Sequence, residues 1–166
     1  MFALFRRDKK DVKEVLLYAV GKGKVIPIEA VPDKTFSECL LGDGIGFFPE
    51  EDHIYAPCDG KITMVAETKH AFGLKLKNGA EVLIHVGLDT VNLNGQGLEP
   101  KISVGSVVKR GEFLLKIDRA FMEKKGIDLT TSIVLTNGDG YILNKLKMSG
   151  MVSRDDYIIS IVKRSL

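Results

Sequence analysis

The chain has 166 residues, 45% of them hydrophobic and 28% charged, with a formal net charge of +2. That length supports one domain with its own core, and no apolar run approaches the roughly 18 residues a membrane-spanning helix needs. The excess charge sits in residues 1–14, where Arg6, Arg7, Lys9, Lys10 and Lys13 outnumber Asp8, Asp11 and Glu14; the neutral, Trp-free remainder is a poor match for nucleic acid.

Residues 1–17 read as a basic, apolar tail ahead of a folded domain over 18–166. The apolar patch precedes the charges, the reverse of a signal peptide. Phe2, Phe5, Val12, Val15 and Leu16 recur at helical spacing beside the basic residues. That arrangement suits contact with an anionic membrane surface, or equally a solvated terminus. From residue 17 onward, short apolar runs are broken by Gly, Asn, Asp and Pro, an all-β signature. Cys39 and Cys58 form no spacing pattern and read as reduced, small core residues of a cytoplasmic protein.

Two pairs of internal repeats punctuate the domain. "YAVGKGKVI" at 18–26 returns as "YAPCDGKIT" at 55–63, and "VVKRGEFLLKI" at 107–117 returns as "MVSRDDYIISI" at 151–161. The order is A, A, B, B rather than A, B, A, B. It predicts interleaved halves, each A pairing with a distant B, in an antiparallel β-sandwich or flattened barrel. "LKLKNGAEVLIHV" predicts a hairpin around Asn78-Gly79 with a two-residue type I′ turn. "DRAFMEKKG" predicts a short helix capped by Asp118 and closed by Gly126.

That hairpin decides how the histidines are read. With a two-residue turn, Lys77 faces Ala80 and His85 faces Phe72, so His70, Phe72, Leu83 and His85 share one face. His70 and His85 are then diagonal neighbours. A single histidine on an apolar strand is more often structural; two on one face form a constellation. Thr68 and Gly87, each two residues away, are placed to contact the inner ring nitrogens and fix their tautomers. His53, in "PEEDHIY", reads as surface. The atom shared by two imidazoles could be a metal or a phosphorus. Zinc needs more ligands than are evident here, whereas a phosphoryl group needs one nucleophilic ring and one hydrogen-bond donor. No Walker or kinase loop is present, which points to another protein's phosphorylated residue as donor.

"TKHAF", then "EVLIHVGLDTVNLNGQG", with "VPDKTFSECLLGDGI" upstream, resembles the glucose-family IIA component of the bacterial phosphoenolpyruvate-dependent sugar phosphotransferase system. The likeness runs from about residue 18 to the end. It implies a β-sandwich with a duplicated hybrid motif, and a phosphocarrier that takes a phosphoryl group from phospho-HPr on His85. The group then passes to a cysteine of a sugar-specific IIB domain of the permease. By the same resemblance His70 stabilises the phosphoryl group, Thr68 orients His70, and the Gly87 carbonyl orients His85. Asp33 and Asp89 would flank the site to meet a partner's arginine. Phe36, Leu41, Leu83 and Val91 would form the apolar docking rim.

One departure concerns Lys34 and Thr35, which stand where the family usually has two apolar residues. No cofactor is required, although His70 and His85 with a partner's carboxylate could hold zinc at a docked interface. The resemblance further implies a free-standing cytoplasmic protein whose tail touches the inner face of the membrane, and regulatory binding of other proteins in some members. The alternative is a lysostaphin-type zinc hydrolase: His85 and Asp89 make an H-x-x-x-D spacing, but no H-x-H follows. The sugar is not legible, because selectivity belongs to the membrane subunit.

Overall fold

The computed structural model describes residues 12–165. Fourteen strands are described: β1 (Glu14–Tyr18), β2 (Gly23–Pro27), β3 (Gly44–Pro49), β4 (His53–Tyr55), β5 (Gly60–Val65), β6 (Ala71–Leu76) and β7 (Glu81–His85), then β8 (Leu98–Pro100), β9 (Val107–Val108), β10 (Phe113–Ile117), β11 (Thr131–Leu135), β12 (Tyr141–Lys145), β13 (Gly150–Val152) and β14 (Tyr157–Lys163). Two short α-helices accompany them, α1 (Lys34–Ser37) and α2 (Arg119–Lys124). The strands form an eight-stranded sheet, in the order β13-β2-β3-β11-β7-β6-β5-β9, and two three-stranded sheets, β1-β14-β12 and β4-β10-β8. Every pairing is antiparallel.

The predicted all-β sandwich is what forms. One cluster joins Phe47, Phe72, Ile84 and Ile133 of the large sheet to Leu17, Ile54, Leu115 and Ile161 of the small ones. Side chains alternate along a strand, so burying one face of each sheet needs only every second residue to be apolar. A smaller cluster of Ile28, Val31, Phe36 and Val134 holds the segment around α1 against the large sheet.

The repeats interleave as their order requires. Tyr18 pairs with Tyr157 and Tyr55 with Phe113, and both strand pairs carry a register irregularity at that end. Gly23 pairs with Val152, and Gly60 with Val108. Loop hydrogen bonds repeat too: Tyr18 N donates to Pro57 O, as Tyr55 N does to Val20 O, and Ala19 N donates to Asp156 O, as Ala56 N does to Glu112 O. The Arg110 guanidinium lies 3.8 Å above the Tyr18 ring, and that of Arg154 lies 4.1 Å above the Tyr55 ring. Each A segment is thus stacked by the arginine of a B segment. The palindromic strand order of the large sheet places the pseudo-twofold axis between β7 and β11.

Three sequence expectations need correction. First, the tail is shorter than the expected 1–17: Glu14–Leu17 belongs to β1, where Leu17 is fully buried and Val15 pairs with Ile161, so Val15 and Leu16 are strand rather than helix residues. The stretch 1–11 lies outside the described residues. Second, the β6–β7 turn has three residues. Gly79 N donates to Leu76 O at 2.9 Å and Leu76 N donates to Ala80 O at 2.8 Å, with Gly79 at φ +86°. A type I′ turn needs positive φ at both central residues. Asn78 is instead held by tertiary bonds, its Nδ2 donating to Lys13 O and Ile161 O. Third, the register therefore shifts by one residue: His85 pairs with Ala71, and Phe72 with Ile84. Phe72 joins the main core on the face opposite Leu83 and His85. α2 matches its prediction, with Asp118 Oδ1 accepting from Phe121 N and Gly126 at φ +68° beyond it.

Both cysteines are free. Cys58 is buried, which pushes its thiol up to about 12 and leaves it inert. Cys39 is half-buried at the edge of the smaller cluster.

Candidate functional site

His85 ends β7, and His70 stands one residue ahead of β6. Their ring centroids are 4.8 Å apart with the planes 82° to each other, so an edge of one ring meets the other. The expected meeting occurs, but by a different route. In the observed register, continued alternation would send His70 to the Phe72 face. Instead the chain turns before β6, with Lys69 at φ +64°, and the His70 ring comes up against His85. The Thr68 hydroxyl lies 2.8 Å from Nδ1 of His70 and holds that ring.

Around His85 the loop 86–94 is tightly fixed. Thr90 Oγ1 donates to Val86 O at 2.6 Å, and Leu88 N donates to Asp128 O at 2.8 Å. Gly87 has φ +77°, and a Cβ there would lie 2.4 Å from Thr90 Cγ2, so only glycine fits. The Phe36 ring packs on His85 with centroids 4.8 Å apart. Asp33 caps α1, its Oδ1 accepting from Thr35 N at 2.9 Å. Asp89, at φ +55°, is exposed at the head of a 3₁₀ turn over Thr90–Leu93.

Both imidazoles are poor bases. Burial, and secondarily the His70 ring, lower the pKa of His85 to about 4, against opposing contributions from the Asp33 charge and the Gly87 backbone. Burial also lowers that of His70, with Thr68 opposing. At neutral pH both rings are uncharged, each carrying one N–H and one nitrogen lone pair, and Nδ1 of His70 is engaged by Thr68. The backbone of Gly87 and of His85 itself favours a proton on the ring, yet the buried Nδ1 of His85 has no well-aligned partner.

The expected rim is only partly a surface. Leu41 and Val91 are exposed, at 43% and 49%, and Leu83 is half-buried. Phe36 is 2% exposed, so it is a wall of the site rather than a docking contact, because the smaller cluster encloses it beneath α1. Leu40, which the sequence reading passed over, is 67% exposed beside Leu41. Lys34 is exposed and Thr35 half-buried. His53, read as surface, is half-buried against Phe113, with centroids 4.6 Å apart, and lies in another sheet.

Sequence reasoning also missed Ser132, fully buried on β11 directly opposite His85. In "TTSIVL" it follows two threonines and carries no signal of its own, and its partner lies too far along the chain to be read. A cavity of about 630 Å³, lined by residues including Asp52, Glu99, Lys116 and Arg119, contains none of the site residues. Among the described residues no group of three or more His, Cys, Asp or Glu side chains converges. Two imidazoles alone fall short of the three protein ligands of a catalytic zinc, so the hydrolase alternative lacks a ligand set within the described residues.

Comparison with known proteins agrees with this geometry. The solved structure of glucose permease IIA from Mycoplasma capricolum superposes with a TM-score of 0.83 at 35% identity, over 90% of this chain and 96% of that one. Residues 15–141 match the family model described as phosphoenolpyruvate-dependent sugar phosphotransferase system, EIIA 1. The chain belongs to the EIIA type 1 family, a phosphotransferase component of that sugar-transport system.

Proposed function

We propose that this protein is a phosphocarrier that accepts a phosphoryl group from phospho-HPr on His85 and passes it to a cysteine of a sugar-specific IIB domain. The observation that carries this reading is the pair of uncharged imidazoles in edge contact, 4.8 Å apart, beside exposed apolar side chains. The Nε2 lone pair of His85 attacks phosphorus, and the bond to the donor nitrogen breaks with its electron pair returning to the donor. Onward transfer runs the same displacement with the acceptor's thiolate as nucleophile and His85 as leaving group. His70, held through Nδ1 by Thr68, donates from its outer nitrogen to the phosphoryl oxygens. The Gly87 carbonyl favours the His85 proton on the inner nitrogen.

Asp33 and Asp89 flank the rings as partners for a docking arginine. Leu41, Val91 and the half-buried Leu83 supply apolar contact that excludes water from the labile N–P bond. Lys34 and Thr35 make this rim more polar at one edge and tune which partners dock. Two imidazoles and a partner's carboxylate at a docked interface would supply the three protein ligands of an open zinc site. None of the described helices is long and apolar enough to cross a membrane. A relay of this kind runs in the cytoplasm, and the basic, apolar N-terminal segment ahead of β1 is our proposed contact with the inner membrane face near the permease.

The test is intact-protein mass after incubation with phosphoenolpyruvate, enzyme I and HPr, beside His85→Ala. One acid-labile phosphoryl group on wild type and none on the variant is the expected result. No mass gain with an active donor would overturn the reading.

A further inference from the structure

Two buried side-chain atoms among the described residues have no hydrogen-bond partner in the protein, Nδ1 of His85 and Oγ of Ser132. They belong to a single rung of the β7–β11 ladder, in which Ser132 pairs directly with His85. Directly paired residues on antiparallel strands project to the same face, with Cβ atoms roughly 4.5–5.5 Å apart. A serine oxygen and an imidazole inner nitrogen extended from such positions are within reach of each other. Ser132 has no exposed surface through which bulk water could serve its hydroxyl. Leaving such a group unpaired is costly, and each instance calls for an explanation.

The fold does not demand a polar residue at this point. The pseudo-twofold axis passes through the rung Ile84–Ile133, and it relates the rung His85–Ser132 to the rung Leu83–Val134, which is apolar on both strands. The hydroxyl therefore accompanies the histidine and not the architecture.

We propose that Ser132 is a positioning residue whose hydroxyl accepts the Nδ1 proton of His85, locking the ring in the tautomer that leaves the lone pair on Nε2. A rotation about the Ser132 Cα–Cβ bond closes this hydrogen bond, and the proton stays on Nδ1 while Nε2 forms its bond to phosphorus. The bond supplements the backbone of Gly87 and of His85 itself, which favours a proton on the ring but leaves Nδ1 without a well-aligned acceptor. The consequence for transfer rests on the phosphocarrier reading; the tautomer does not.

The experiment compares wild type, Ser132→Ala and Ser132→Thr as full chains. Long-range ¹H–¹⁵N spectra of the His85 ring report which nitrogen carries the proton, and the rate of phosphorylation by phospho-HPr is measured alongside. Wild type is expected to show Nδ1–H. Ser132→Ala should show a mixture of tautomers and accept the phosphoryl group about fivefold more slowly, the effect of losing one ordinary hydrogen bond. Ser132→Thr should restore both. An unchanged tautomer in Ser132→Ala overturns the proposal, including where the melting temperature falls, since that outcome marks a packing role alone. A tautomer that shifts in a protein whose wild type never accepts a phosphoryl group would sink the phosphocarrier reading and leave the positioning role standing.

Discussion

Two rungs of one ladder are related by the internal symmetry yet differ in chemistry. His85 faces Ser132, while Leu83 faces Val134. The same relation holds one step outward. Val86 N donates to His70 O at 2.7 Å, and Leu135 N donates to Asp43 O at 2.9 Å. Thus Asp43 occupies the place of His70. There it meets Lys145 Nζ at 2.8 Å, an ion pair rather than a second imidazole. The framework occurs twice, and the imidazole pair stands in one copy only. The difference teaches where the cost of function sits: an apolar rung stabilises by burial alone, whereas the polar rung holds a ring that burial keeps from protonating.

The sharpest way to break the comparison is His85→Val, which makes both outer rungs apolar. Phosphorylation should vanish, yet stability should gain at low pH. In wild type the unfolded histidine binds a proton near 6.5, and the folded ring refuses one until about 4. Between those values the unfolded state holds more protons, so wild-type stability falls as pH drops through that window and is level above it. The loss is up to about 3 kcal/mol. Urea unfolding at pH 7 and pH 5 should show a smaller pH dependence in the variant. An identical one would mean His85 is not held neutral by burial.

His70→Gln is the next largest change. It should still accept a phosphoryl group from HPr but pass it on about a hundredfold more slowly, because an amide can donate to the transferring group but cannot take up charge as an imidazole can. Single-turnover rates for the two half-reactions separate these effects, and blocked acceptance would reverse the assigned roles. The smallest effects belong to the duplicated corners. Arg110→Ala and Arg154→Ala should each cost about 1 kcal/mol of stability, through loss of the stacked guanidinium, and leave phosphorylation unchanged. A loss of transfer in either would show that the corners are not purely structural.

Much of the site was legible because its residues are close in sequence. Thr68, His70, His85 and Gly87 lie on one hairpin, and their meeting follows from any turn that brings β6 beside β7. The detail was less secure. Asn78-Gly79 suggests a two-residue turn, but Asn78 is anchored to the backbone of Lys13 and Ile161. These distant contacts outweigh the local preference of the dipeptide and shift the register by one residue. Leu41, Val91 and Phe36 were expected on the rim through the family resemblance alone, and nothing in the sequence told them apart; the first two are exposed and Phe36 is buried.

By itself the sequence determined the all-β class, the interleaving of the repeats and the identity of the two histidines. Each rests on periodicity, order or local spacing, which are properties of the chain as a line. Only the tertiary structure decided the register of the hairpin, the enclosure of Phe36 and the placing of Ser132 against His85. Those depend on which distant strand packs beside which, and the burial that depresses the histidine pKa exists only after that packing is complete.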